Sequence, residues 1–251
     1  MTPEQTTFDH RIQTSAVTPD TSADFVKNVF SEVPATYELV NHILTLGMDV
    51  AWRRRAAQLA AASRGGLWVD MCTGTGEMAV LLSRLAPDGT EVRGVDFSLA
   101  MLAEARRKPG AKRVGFIAAD IAALPFQDQS ADVITMSFAT RNINLDREAL
   151  GRRFAELHRV LKPGGCFINL ETSQPPSAFV KRLFHLYVKL FVRQIGGRIS
   201  GSRTAYAYLS STIPRFYPAE VLSDILRQAG FGEVTFQRLL LGAAAIHRAR
   251  R

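Results

Sequence analysis

Cysteine is nearly absent: Cys72 and Cys166 are the only two in 251 residues, and they lie far apart. Two isolated thiols give neither a disulfide framework nor a zinc-ligand cluster, so a reducing, cytoplasmic setting is expected. Long apolar runs are also missing. No stretch approaches the ~20 apolar residues that a spanning helix needs. The opening "MTPEQTTFDHRIQTSAVTPDTSADF" lacks the apolar core of a signal peptide, and its Thr, Pro, Gln and Ser content reads as a mobile arm over residues 1–22. There are no internal repeats and no low-complexity tracts.

Apolar residues make up 47% of the chain, enough to bury a full core, so residues 23–251 are expected to form one domain. Thirty-one Lys and Arg against 23 Asp and Glu leave a net charge of +8, which favours anionic surroundings of some kind: nucleic acid, acidic lipid or an anionic substrate. The basic stretches "WRRR", "ARRK" and "HRARR" encourage an RNA reading. No aromatic-interleaved basic platform accompanies them, and nucleic acid is not expected as a partner.

From Gly66 onward, short apolar runs alternate with helical patterns: "LWVDM", "EMAVLLSRLA", "EVRGVD", "SLAMLAEARRK", "VGFIAAD", "ADVITMSF", "REALGRRFAELHRVL", "CFINLE". That rhythm predicts an α/β fold with a doubly wound, mostly parallel sheet. "KPGG" stops the helix before "CFINLE", because Pro163 cannot continue it and the glycines allow positive φ. "PAEVLSDILRQAG", "EVTFQRLL" and "AAAIHRA" predict a last helix and two strands. Residues 23–65 read as N-terminal helices. Residues 172–217 interrupt the rhythm and read as a helical lid insertion. Within it, over 177–199, Phe179, Val180, Leu183, Phe184, Tyr187, Leu190 and Phe191 share one helical stripe, with Lys181, Arg182, His185, Lys189 and Arg193 on much of the rest. Such a helix suits a lid, a membrane surface or both.

"VDMCTGTGEMA" follows the first strand and opens the first helix after it, so Gly74 and Gly76 let backbone pass close to a ligand. The pattern alone also fits a dinucleotide loop, with Asp96 placed to hold ribose hydroxyls. Asp70 just ahead of the loop and Glu77 just after it would repel a pyrophosphate. S-adenosylmethionine, with a sulfonium, an ammonium and no phosphate, suits them better. Asp120 closes the third strand, within reach of an adenine amino group, while Ile121 packs on the ring; taken alone, Asp120 would be a turn or cap residue. The three strand-end acids Asp70, Asp96 and Asp120 sit where open α/β sheets bind ligands.

"VFSEVPATYELVNHILTLGMDVAWRR", the glycine loop, "GVDFSLAMLAEAR", the "FATRN" block and "YAYL" together resemble the quinone-biosynthesis C-methyltransferases that act on ubiquinone and menaquinone precursors; the similarity runs from about Val29 to His247. The resemblance implies a class I methyltransferase fold of seven strands, one of them antiparallel, and S-adenosylmethionine as cofactor. It implies a reduced polyprenyl quinol as acceptor, a demethylmenaquinol or a methoxy-polyprenyl benzoquinol, with the enzyme in the cytoplasm or peripheral at a membrane, as a homodimer or within a quinone-biosynthesis complex. Thr75, Asp96, Asp120 and Ser137 are then cofactor contacts, joined by Asp70, Gly74, Gly76, Phe97 and Ile121. Tyr37, Arg141 and Asn142 fall in the reaction chamber. Phe30, Leu46, Tyr206 and Tyr208 are further candidates for its walls, and Asp146 is the carboxylate most available to pair with Arg141. "LLLGAAAIHRA" departs from the family's Thr-Gly-Gly tail, and "NINLD" lacks a usual Thr-Asp pair. The rival readings are another small aromatic acceptor, RNA, or a non-catalytic scaffold.

Overall fold

The computed structural model describes residues 34–63, 65–196 and 203–251, and for a few helical positions, Tyr37 among them, the backbone alone. The N-terminal arm and Phe30 lie outside the described residues. Two helices, α1 (Pro34–Leu44) and α2 (Met48–Ala61), lead into β1 (Leu67–Met71). Then follow α3 (Glu77–Leu85), β2 (Glu91–Asp96), α4 (Leu99–Arg107), β3 (Gly115–Ala118), β4 (Ala131–Ser137), α5 (Arg147–Val160) and β5 (Leu161–Thr172). The chain continues through α6 (Ala178–Tyr187), a π-helical extension (Val188–Gly196), α7 (Arg203–Thr212), α8 (Ala219–Gln228), β6 (Glu233–Leu239) and β7 (Ala244–Arg250).

The strands form one sheet in the order β3-β2-β1-β4-β5-β7-β6, parallel except that β7 runs against both β5 and β6. Strand order reverses between β1 and β4. In a doubly wound sheet the carboxyl ends of the strands at that point border the natural crevice. β1 and β4 are continuous apolar runs because helices cover both faces, and Trp68, Val69, Val133 and Ile134 are fully buried.

Asp146 caps α5 by accepting from the Ala149 N–H at 2.7 Å, and the helix then buries Leu150, Phe154, Leu157 and Val160 along one stripe. Phe154 meets Phe167 of β5 with ring centroids 5.9 Å apart. Burial of each such side chain contributes ~1.5–3 kcal/mol, and truncating Phe154 to Ala would cost ~3–5 kcal/mol. After α5 the pairing of β4 with β5 shifts from Ala131↔Leu161 to Val133↔Cys166, so "KPGG" bulges out of the strand with Gly164 at φ 77°.

A smaller core lies above the sheet edge, built from Val40 of α1, Met101 of α4, Val188 and Val192 of the π-helical extension, and Tyr206, Tyr208, Leu209 and Ile213. Tyr206 and Tyr208 are therefore packing residues that knit the cover together, not walls of a reaction chamber. The aromatic stripe of the lid also divides. Val180, Leu183, Phe184 and Tyr187 face inward onto a cavity, whereas Phe179 (70% exposed), Leu186, Leu190 and Phe191 point to solvent. His185 leaves the cationic face as well, meeting Gln174 Oε1 at 2.8 Å.

Candidate active site

Two cavities meet at the β1/β4 switch point. The first is polar and has two lobes sharing Cys72, Asp96, Phe97, Asn142 and Ile143. One lobe is completed by Asp70, Gly74, Thr75, Glu77, Arg53 and Ser137, the other by Asp120, Ile121 and Arg153. Every predicted cofactor residue except Gly76 lines one lobe or the other. Gly76 shapes the loop from behind: its φ is 82°, and a Cβ there would sit 2.9 Å from Ala105 Cβ. That close approach is why α3 can start where it does.

Asp70, at the end of β1, accepts hydrogen bonds from the Thr73 hydroxyl at 2.6 Å and the Thr135 hydroxyl at 2.7 Å. Burial raises its carboxyl from 3.8 to about 6 despite those bonds. Its first task is thus to hold the loop. Asp96, at the end of β2, accepts from the Gly74 N–H at 2.8 Å and the Ser98 N–H at 2.9 Å, and burial raises its carboxyl too. The Gly74 N–H, which a phosphate loop would aim at its anion, is spent on a carboxylate, which argues against a pyrophosphate ligand. β3 stops at Ala118, two residues short of Asp120, which is exposed and accepts from the Ala122 N–H at 3.0 Å. The turn role read for Asp120 alone holds, and its place in the second lobe adds to it.

The Ser137 Oγ and Asn142 Oδ1 are buried and have no hydrogen-bond partner among the described residues. Buried polar atoms without partners are unusual, and here both border the polar cavity, where a ligand rich in donors and acceptors would satisfy them. With the carboxylates and the Ile121 side chain, this lining fits S-adenosylmethionine.

The second cavity, of about 430 Å3, is apolar and large enough for a small aromatic ring system. Leu44, Leu46, Met48, Trp52, Val180, Leu183, Tyr187, Leu209, Leu240 and Leu241 are among its walls, and Asp49 and Arg141 carry the charge. Arg141 is buried; it donates from Nη1 to Thr212 Oγ1 at 3.0 Å, its backbone N–H donates to Glu171 Oε2 at 3.1 Å, and its Nε lacks a partner among the described residues. Among the described residues it forms no ion pair. Asp146 is occupied as the α5 cap. Asn142, expected in the acceptor chamber, lines the polar cavity instead, because adjacent residues of a tight loop point to opposite sides. Tyr37 belongs to α1, but its side chain lies outside the description.

Phe138 lines both cavities and so forms the partition. It has φ 56°, a conformation rare for an aromatic residue, and the neighbouring element holds it there: its N–H donates to the Leu170 carbonyl at 2.7 Å. Arg53 lies over its ring at 5.2 Å.

Sequence reading missed Arg53 and Asp49. "WRRR" looked like a surface charge run, yet Arg53 is buried while Arg54 and Arg55 are exposed. The Asp49–Arg53 spacing of four on a helix was the available signal. Arg53 Nη1 reaches Asp49 Oδ2 at 2.5 Å and Glu77 Oε2 at 3.1 Å, and Asp49 also meets His42 Nδ1 at 2.7 Å and accepts from the Thr45 hydroxyl at 2.7 Å. Burial pushes the Asp49 carboxyl up, but these partners more than offset it and leave it below its ordinary value. His42, open in the sequence, is part of this knot. His158 is structural: it packs edge-on against Phe231 at 5.3 Å, and burial lowers its pKa.

The ubiE/COQ5 methyltransferase family model matches residues 17–251. A demethylmenaquinone methyltransferase of Thermus thermophilus is 41% identical over 221 residues, which cover 87% of this chain and 98% of the relative. A ubiquinone/menaquinone biosynthesis C-methyltransferase UbiE of Desulfotalea psychrophila is 34% identical, with 88% of each chain covered. Among solved structures, an S-adenosylmethionine-dependent methyltransferase from Thermotoga maritima superimposes with a TM-score of 0.63 at 20% identity, covering 90% of this chain and 99% of that one, a likeness of fold. The seven-stranded sheet, the strand-end carboxylates around the glycine loop and the length of these matches agree: the chain belongs to the ubiE/COQ5 methyltransferase family.

Proposed function

We propose that this enzyme methylates a ring carbon of a reduced polyprenyl quinol, demethylmenaquinol foremost, at a membrane surface. The observation that carries the reading is the pairing of a carboxylate-lined polar cavity with a large apolar one whose wall holds a buried arginine, the two separated by Phe138. The names of the relatives in Thermus thermophilus and Desulfotalea psychrophila support the acceptor class.

When bound, S-adenosylmethionine supplies an electrophilic methyl group. Asp96 holds the ribose, Asp120 and Ile121 the adenine, and Ser137 and Asn142 meet polar atoms of the cofactor, while Asp70, Gly74, Thr75, Gly76 and Phe97 shape the cleft. On the acceptor side the ring carbon becomes nucleophilic as the neighbouring hydroxyl loses its proton; the new carbon–carbon bond forms as the methyl carbon–sulfur bond breaks, which would leave S-adenosylhomocysteine, the ring hydrogen then leaves as a proton, and the oxygen regains one, so that one proton is released net. Arg141 stabilises the negative charge on that oxygen, because a guanidinium stays positive and its Nε has no hydrogen-bond partner among the described residues and can donate. A guanidinium is a poor base, so water takes the proton.

A polyprenyl tail does not fit in a cavity of about 430 Å3 and must leave through its rim. Leu46 (82% exposed), Leu240 and Leu241 (73% exposed) stand there on left-handed backbone, with φ 52°, 44° and 55°. Together with the exposed Phe179, Leu186, Leu190 and Phe191 and the nearby Lys181, Arg182 and Lys189, they make an apolar, basic face suited to an acidic bilayer surface. Among the described residues no helix is long and apolar enough to cross a membrane.

The test is transfer of labelled methyl from S-adenosylmethionine to reduced naphthoquinol and benzoquinol analogues, with the oxidised quinones as controls. Turnover of the naphthoquinol is expected. Transfer to an oxidised quinone, or to neither reduced ring, would refute the reading.

A further inference from the structure

The cofactor ends in an amino acid, and its carboxylate needs a cation that none of the residues expected to contact the cofactor provides. Asp96 belongs to the ribose, and Asp120 and Ile121 place the adenine in the second lobe. The amino-acid end is thus left in the lobe of the glycine loop. There the ionisable groups are Asp70, Asp96, Glu77 and Arg53, so Arg53 is its one cation among the described residues. Arg153, the cation of the second lobe, donates to the Ile143 carbonyl.

The geometry of Arg53 is that of a receptor only partly used. Both of its ion pairs, to Asp49 and Glu77, are made through Nη1. Among the described residues its Nε and Nη2 have no hydrogen-bond partner, although the side chain is nine-tenths buried. A guanidinium offers its Nε/Nη2 edge as a fork that matches a carboxylate's two oxygens. Phe138 covers one face of the guanidinium, and Asp49 and Glu77 fix Nη1, so the open edge is held in place before any ligand arrives.

We infer that Arg53 is the receptor for the carboxylate of S-adenosylmethionine, binding it through the Nε/Nη2 edge. Because the other end of the Arg53 ion pair, Asp49, lines the acceptor cavity, the same residue ties cofactor seating to the α1–α2 cover over the acceptor.

The test uses the whole chain and two ligands without any acceptor, so it stands apart from the question of which quinol is methylated. S-adenosylhomocysteine carries the carboxylate; 5′-methylthioadenosine keeps the adenine, ribose and thioether and lacks the amino-acid end. Calorimetric titration of wild type, Arg53→Lys and Arg53→Gln should show S-adenosylhomocysteine weakened by roughly 30-fold or more in Arg53→Gln and by about 10-fold in Arg53→Lys, with methylthioadenosine changed by less than about twofold. A structural tie between helices would weaken both ligands together. If Arg53→Gln does not fold, Arg53→Lys, which keeps the charge, decides by the ratio of the two affinities: a ratio that falls supports the assignment, and a ratio equal to wild type overturns it.

Discussion

Asp70 is a buried carboxylate that the fold tolerates at a cost, and the cost is measurable. Its carboxyl rises from 3.8 to about 6 because burial penalises the anion more than Thr73, Thr135 and the charge of Arg53 favour it. The folded protein therefore holds this proton more tightly than the unfolded chain between those two values. Stability attributable to Asp70 is greatest below about pH 4, falls as pH rises towards 6 and is flat above it. A displacement of that size corresponds to ~3 kcal/mol. In Asp70→Asn the amide oxygen still accepts from one threonine, and the other threonine hydroxyl can turn to accept from the amide nitrogen, so the hydrogen bonds survive and the charge penalty does not. The variant should gain on wild type by ~3 kcal/mol between pH 3.5 and pH 7, about 6–12 °C in melting temperature for a chain of this size. Subtracting the wild-type curve from that of the variant removes the contributions of other carboxylates to first order. Calorimetry or urea titration of ligand-free protein at several pH values reads the difference directly. A difference between the two proteins that does not change across this range would refute the reasoning.

Gly76→Ala combines a left-handed alanine, ~1–2 kcal/mol, with a Cβ 2.9 Å from that of Ala105, so a loss of ~2–5 kcal/mol and of cofactor binding is expected; Gly74→Ala meets nothing within 4 Å and should lose only the first part, which thermal melts of the two variants will separate. Arg141→Lys should lower kcat/KM for a reduced quinol by ~100-fold or more while leaving S-adenosylhomocysteine affinity near wild type, and nearly full turnover at saturating quinol would remove the guanidinium from the chemistry. Leu46→Ser combined with Leu241→Ser should raise KM for a tailed quinol in acidic vesicles by ~10-fold, with a smaller effect on a tail-free ring in water, because each leucine contributes contact at the rim rather than at the ring.

The sheet was legible because its strands announce themselves. "LWVDM" and "ADVITMS" are apolar without alternation, as strands buried on both faces are, and helices with clear stripes separate them. The polar cavity was legible for the same reason: its residues follow the ends of those strands in order. The apolar cavity was not, since its walls come from the α1–α2 turn, α2, the lid, α7 and the start of β7, and nothing in local periodicity brings Leu46 beside Leu241. The left-handed backbone at Leu46, Leu240 and Leu241 is invisible in residues that disfavour it. Asn142 was misplaced because it was read together with Arg141, whereas the turn after Phe138 sends consecutive side chains to different cavities.

That turn also explains how the two charged groups on the apolar wall work together. Asp49 would repel a quinolate, were it not compensated by Arg53, His42 and Thr45. Arg141 has no such compensation: it forms no ion pair among the described residues, and Glu171 receives its backbone N–H and not its guanidinium. The cavity therefore presents in Arg141 a positive group that is not ion-paired among the described residues, in apolar surroundings where an ionic interaction is stronger than in water. On the proposed reading, negative charge on the ring oxygen is favoured at the Arg141 end and gains nothing at the compensated Asp49 end. On that reading a ring with two hydroxyls would be oriented by the asymmetry, the carbon to be methylated would be set by which hydroxyl faces Arg141, and Phe138 between the cavities would limit how closely that carbon approaches the cofactor side.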